Sequence, residues 1–189
     1  MSVATAIPVR RATIDDLLKV PEKAELIRGS IVKYMATGFR PSVVASRIFR
    51  SLADYCDRLG RGFAFTDSMG FAVPELTSGR ESFSPDTSFY SGPPPANPMK
   101  FVEAAPDFAV EVRSENDYGR SAERDMAAKR ADYFEAGTLV VWDVDPEAGI
   151  VRKYIAVDPF QFITFTKGQI ADAEPAAAGW SVSVDWIMA

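Results

Sequence analysis

The sequence predicts an α+β protein in which a mixed central β-sheet is flanked by helices. Three observations carry that class. Val44, Ile48, Leu52 and Tyr55 recur at helical spacing between Pro41 and Leu59. TLVVWDVD (138–145) is a near-continuous apolar run of the kind that fills a central strand. The elements run helix, mixed strands, helix, strands, which is the order of α+β or mixed α/β domains.

Along the chain, Thr13 opens a short helix to Val20, with Asp16 three residues on as a variant of the capping box, and Pro21 ends it. ELIRGSIVKY (25–34) reads as two short strands turning at Arg28-Gly29. Pro41 suits the first turn of the 41–59 helix, and Gly60 and Gly62 mark its exit. GFAFTDSMGFAV (62–73) is a strand bent at Gly70, and PELTSGRES (74–82) is a turn leading to the strand FSPDTSFY (83–90). SGPPPANP (91–98) breaks any regular structure and separates two strands rather than two domains.

FAVEVRS (108–114) is the next strand, ENDYGR (115–120) a polar turn, and a second long helix covers 121–136 before Gly137. After TLVVWDVD, IVRKYIAV (150–157) and QFITFTKG (161–168) close the sheet, and Val184, Trp186 and Ile187 anchor the tail. A chain of 189 residues, 47% hydrophobic and 25% charged, fits one globular domain over 1–189. Its core is expected at about 13–168, with a C-terminal tail at 169–189.

Composition excludes several chemistries. With no histidine, Ser-His-Asp and Cys-His catalysis and His-ligated zinc are ruled out. With a single cysteine, Cys56, as well, a metal would be held mainly by oxygen, which favours magnesium, manganese or calcium. No run of eighteen apolar residues and no uninterrupted apolar N-terminal segment is present, so neither a membrane span nor a signal peptide is expected; Cys56, alone, can make no internal disulfide, which fits a reducing cytoplasm. Net charge is −5, yet residues 1–61 hold eleven Lys/Arg against six Asp/Glu, while the remainder holds ten against twenty. A basic front half suits phosphates and an acidic remainder suits metal, although solvated faces explain the charges equally well.

The carboxylates between Pro85 and Ser114 are the most informative residues. Glu111 stands in an apolar strand, where a charge is costly unless paired, hydrogen-bonded or metal-bound. It shares a strand face with Ala109 and Arg113, opposite Phe108, Val110 and Val112. Asp86 follows Pro85 at the head of the preceding strand, as a metal ligand or as an Asx-type turn. Asp107 lies about 13 Å along the strand from Glu111, too far to share an ion, and is expected to cap the loop. Arg113 cannot act as a base but is placed to hold a phosphate or to balance Glu111. Lys129 on the following helix is the alternative cation, with an i,i+4 pair to Asp125 as its bland reading. Glu25 supplies another carboxylate, or is an ordinary exposed glutamate. Arg47, Arg50 and Arg58 lie on the 41–59 helix, facing a nucleic-acid backbone or simply solvent.

The series ELIRGSIV (25–32), SPDTSFY (84–90), PDFAVEVRSEND (106–117), KRADYFEAG (129–137) and VVWDVDP (140–146) resembles the Uma-type family of putative restriction endonucleases, a branch of the PD-(D/E)XK nuclease superfamily. The resemblance covers roughly 13–155. It implies a restriction-endonuclease-like fold and a Mg2+-dependent (or Mn2+-dependent) endonuclease acting on DNA. Asp86 then matches the Pro-Asp carboxylate and Glu111 the (Asp/Glu)-X-Lys carboxylate, the two metal ligands, with the Val112 carbonyl beside them. This strand reads Glu-Val-Arg, so the lysine role passes to Lys129 on the next helix. Glu25 matches the family's early glutamate and Tyr133 the tyrosine one turn after the lysine. Two other readings stand beside it: a nuclease-fold binding or assembly module without catalysis, and a glycosidase-like carboxylate pair in an aromatic groove. A homodimer is compatible with cutting both strands of a duplex, and no motif specifies it.

Overall fold

The computed structural model describes residues 10–189, so the first nine residues of the expected domain lie outside it. Thr13 caps helix α1 (Ile14–Leu17) in a full capping box: its hydroxyl accepts the Asp16 N–H, and the Asp16 carboxylate accepts from the Thr13 backbone. The hairpin β1 (Ala24–Ile27) and β2 (Ser30–Lys33) turns through Arg28 and Gly29, both at positive φ. Helix α2 (Phe39–Leu59) starts two residues before Pro41, because extended Gly38 is its N-cap, and it ends at left-handed Gly60.

The expected bent strand 62–73 is instead two strands in different sheets. The first, β3 (Phe63–Thr66), joins the main sheet, and β4 (Phe71–Ala72) pairs with β5 (Ser82–Phe83). Gly70, between them, sits so close to the Phe101 ring that no Cβ would fit. The strand expected over 83–90 likewise breaks, and β6 (Thr87–Tyr90) begins only after Asp86. The break has a cause in the site: the Ser84 N–H is given to the Glu25 carboxylate at 3.0 Å rather than to a neighbouring strand.

Strand β7 (Phe108–Val112), helix α3 (Arg120–Glu135) and strand β8 (Val140–Asp145) form a crossover unit in which β7 and β8 run parallel. Strands β9 (Ile150–Ile155) and β10 (Asp158–Phe165) follow antiparallel. The main sheet has the order β10-β9-β8-β7-β6-β3, six strands with one parallel pair. Strand β8 is buried at all six positions, as its apolar run predicts.

One face of the sheet packs Phe108, Val110, Val112, Trp142 and Val144 against Val44, Ile48 and Leu52 of α2. The segment expected as a tail, 169–189, is a structural part of this core. Its β11 (Ile170–Asp172), the turn before β12 (Ser181–Ser183) and α4 (Val184–Met188) deliver Ala171, Trp180, and Val184 with Ile187 to that face, where Trp180 meets Trp142 and Phe108. Sequence periodicity misses this because the intervening chain packs by small alanines. The other face carries Ala109, Val141 and Tyr133 against Phe71 and Phe83, and it is the face that holds Glu111. Among the described residues, no helix is long and apolar enough to cross a membrane.

Candidate active site

Strand alternation places Glu111 on the α3 side of the sheet, in a cleft of about 1240 Å³ whose walls include Lys23, Tyr34, Asp86, Glu111 and Lys129. Lys129 projects from α3 towards the sheet rather than towards Asp125. Its ammonium lies 2.8 Å from Glu111 Oε1 and 3.1 Å from Glu25 Oε1. One turn on, the Tyr133 hydroxyl donates to the same Glu111 oxygen at 2.6 Å, its ring stacked on Phe83 at 4.2 Å. Three of the expected residues, Glu25, Glu111 and Lys129, therefore meet directly, and Tyr133 joins them.

Glu25 is fully buried on β1, not the exposed glutamate of the bland reading. Its Oε2 accepts from Arg80 and from the Tyr34 hydroxyl at 2.8 Å, and its Oε1 from the Ser84 N–H and Lys129. Burial works against its charge, but Lys129, Arg80 and these donors outweigh it and hold the carboxyl down at about 2. Glu111 goes the other way. Burial pushes its pKa up, repulsion from Asp86 and Glu25 adds to this, and Lys129 and Lys23 offset it only in part. Burial alone would favour neutral Lys129, yet Glu111 and Glu25 reverse that and raise its pKa, so it stays an ammonium.

Asp86 reaches the same cleft from the turn before β6. Its Oδ2 accepts the Val112 N–H at 2.8 Å, next in chain to Glu111, and its Oδ1 is paired with Lys23 at 2.7 Å. Asp107 does not enter the site. It accepts the Ser91 N–H at 2.6 Å and so fastens the Pro-rich loop, as a cap would.

Arg113 neither balances Glu111 nor faces the cleft as a free phosphate binder. Its guanidinium makes two 2.7 Å bonds to Asp143 and is also paired with Glu123. The parallel register sets Asp143 beside Glu111, so the two carboxylates take different cations. An Asp in the middle of an all-buried strand was the signal that Arg113 was already committed.

Arg80, Tyr34 and Lys23 were missed by sequence reasoning. Arg80 lies in a turn with no periodicity and also binds Asp132 at 2.8 Å, while Lys23 precedes β1 as one lysine among many.

The donors suit a hard cation. The accessible charged groups are carboxylates, with Val112 adjacent, and the single thiol, Cys56, is buried on α2. Among the described residues, no three acidic, thiol or imidazole side chains converge as a ready cage. A pair of carboxylates still fits magnesium, which keeps several waters and binds through one or two carboxylates plus substrate phosphate.

A sequence family described as Uma2, putative restriction endonuclease, matches residues 14–185. Among solved structures, the chain is similar to a putative nuclease belonging to DUF820 from Anabaena variabilis, with a TM-score of 0.72 at 20% identity, covering 96% of this chain and 98% of that one. At that identity the likeness speaks to fold. A comparison with curated proteins found no match.

Proposed function

The chain belongs to the Uma2 family of putative restriction endonucleases, and on that premise we propose that it is a divalent-metal-dependent nuclease hydrolysing DNA phosphodiester bonds. The observation that carries this reading is the reach of Lys129 from α3 to Glu111, in a cleft shared with Asp86. Asp86 and Glu111, with the Val112 carbonyl, would hold magnesium or manganese. When bound there, such an ion supplies a water of lowered pKa and positive charge at the phosphorus.

The chain's own residues do the rest. Lys129 is held protonated between two carboxylates, so it acts as a fixed positive charge for the phosphoryl oxygens and a donor that orients water, not as a general base. Glu25 has both oxygens taken by Arg80, Tyr34, Ser84 and Lys129. Its role is therefore to position Lys129 rather than to ligate metal. Tyr133 fixes the rotamer of Glu111 by its hydroxyl bond and leaves the second carboxylate oxygen to the cleft.

The test is to incubate wild type, Asp86→Ala and Glu111→Ala with plasmid, single-stranded DNA and RNA, with magnesium, manganese or chelator. Cleavage of DNA by wild type alone, abolished by chelator, is expected. Unchanged cleavage in either variant would sink the assignment.

One observation favours the second reading, a binding or assembly module without catalysis. Lys23 on Asp86 and Lys129 on Glu111 already neutralise both carboxylates. Calorimetry with magnesium and manganese tests this pairing: binding of neither ion by wild type would favour the module.

A further inference from the structure

From residue 26 to residue 53 the chain carries five Arg or Lys and no Asp or Glu, within a molecule of net charge −5. This stretch includes the loop after β2 and the first half of α2, which together form one rim of the cleft. The rim bears two side chains that water disfavours: Met35 is 91% exposed and Phe39 is 87% exposed. Thr37 and Gly38 belong both to the main cleft and to a groove of about 370 Å³ lined by Phe39, Ser42, Ser46, Arg47 and Arg50. The cleft of the carboxylates thus continues along α2. Gly38 leaves the first turn of α2 without a side-chain cap, and that turn has no acidic residue, so its free N–H groups add to the positive potential. Arg47 is engaged with the Trp186 carbonyl at 3.1 Å, which leaves as the rim's charges exposed Arg40 and exposed Arg50, whose guanidinium lies over the Trp186 ring at 4.9 Å without a carboxylate partner.

On the opposite wall the cations Arg113, Lys129 and Arg130 are already paired with carboxylates, and the exposed charges are the acidic Glu115 and Asp125. A duplex brings one negative charge per about 1.7 Å of its axis, shared between two strands. An acidic wall repels the second strand, whereas a basic rim with an exposed ring suits a single one. Protein sites for unpaired strands combine these two elements: cations that track the backbone and aromatic faces on which bases stack.

We infer that the α2 rim binds an unpaired DNA strand, with bases stacked on Phe39 and Met35 and phosphates held by Arg40 and Arg50. The inference rests on the nuclease reading for the identity of the polymer. It deepens that reading by making single-stranded or locally opened DNA the preferred substrate.

Fluorescence anisotropy of the full chain in chelator, where no metal-dependent cleavage intervenes, tests this with three labelled probes. They are a 20-nucleotide oligodeoxythymidine, its duplex with oligodeoxyadenosine, and an abasic deoxyribose-phosphate strand of equal length. The single strand is expected to bind at least tenfold more tightly than the duplex. The Met35→Ala/Phe39→Ala double variant should bind the single strand about fivefold or more weakly, the low end of stacking losses, and the abasic strand unchanged. Arg40→Gln should reduce the slope of log affinity against log salt by about 0.7. These side chains are on the surface, and circular dichroism checks that the variants fold.

Equal or tighter duplex binding overturns the inference, as does a double variant that binds the single strand like wild type. So does a wild-type dimer in sedimentation that the double variant dissociates with oligonucleotide binding unchanged, since the rim would then be a contact between copies. The nuclease reading fails on a different result, absence of metal-dependent cleavage by wild type.

Discussion

Two carboxylates stand side by side on one sheet face, Glu111 on β7 and Asp143 on β8, and their surroundings differ. Asp143 is 1% exposed, and both its oxygens are taken by Arg113 at 2.7 Å, with Arg130 and Arg152 nearby at 3.8 and 3.7 Å. Glu111 has one oxygen held by a lysine and a tyrosine and opens on the cleft. A planar guanidinium saturates a carboxylate in a bidentate fork, whereas an ammonium is a point charge that leaves an oxygen free. Equal placement in a sheet therefore yields a structural anchor in one case and a chemically available group in the other.

The comparison breaks first at Arg113. Arg113→Met leaves Asp143 buried with its other arginines beyond hydrogen-bond reach, and a loss of about 3–5 kcal/mol is expected from urea unfolding. A loss below about 1 kcal/mol would show that Arg130 or Arg152 takes over and that the pair is not an anchor. Lys129→Met should cost less stability, about 1–3 kcal/mol, because Glu25 keeps Arg80 and Glu111 keeps Tyr133. DNA cleavage should fall by about two orders of magnitude or more, so stability and activity separate at this residue and not at Arg113.

Acid titration sharpens the contrast within the site. Glu25 is held at about 2 in the fold, below its ordinary 4.5. Its contribution to stability is present above pH 4.5 and is lost as pH falls through about 2. Glu111 has a raised pKa, so the stability it lends is present below pH 4.5 and declines as pH rises above it. Urea unfolding of wild type, Glu25→Gln and Glu111→Gln across pH 2–7 should show these opposite slopes removed one at a time. The smallest effect is expected from Tyr133→Phe, about 1 kcal/mol for one hydrogen bond. It should also weaken divalent-ion binding by calorimetry, since Glu111 loses the contact that fixes it.

Much of this was legible in residues 25–145. The class, the long helices, the hairpin at Arg28-Gly29 and the buried β8 follow from period and turn chemistry. The proximity of Glu25, Glu111, Lys129 and Tyr133 followed from the resemblance of their motifs. Partner choice between distant residues was not legible. Arg80 and Glu25 are 55 positions apart, and nothing local in a polar turn announces that a guanidinium will be buried. The partner of Arg113 was illegible for a related reason: same-face spacing shows which side a chain lies on, while cross-strand register decides what it meets. The split of 83–90 into two strands depended on Ser84 giving its N–H to Glu25, a tertiary contact that overrides strand propensity.

The three tryptophans divide in a useful way. Trp142 and Trp180 are sealed in the core with ring centroids 5.2 Å apart, while Trp186 is 36% exposed beneath the Arg50 guanidinium at 4.9 Å. The molecule thus carries two optical channels of its own. Near-ultraviolet dichroism from the sealed pair follows tertiary packing, and the quenchable emission of Trp186 follows whatever comes to rest on α2. Occupancy of that helix is readable in unlabelled protein.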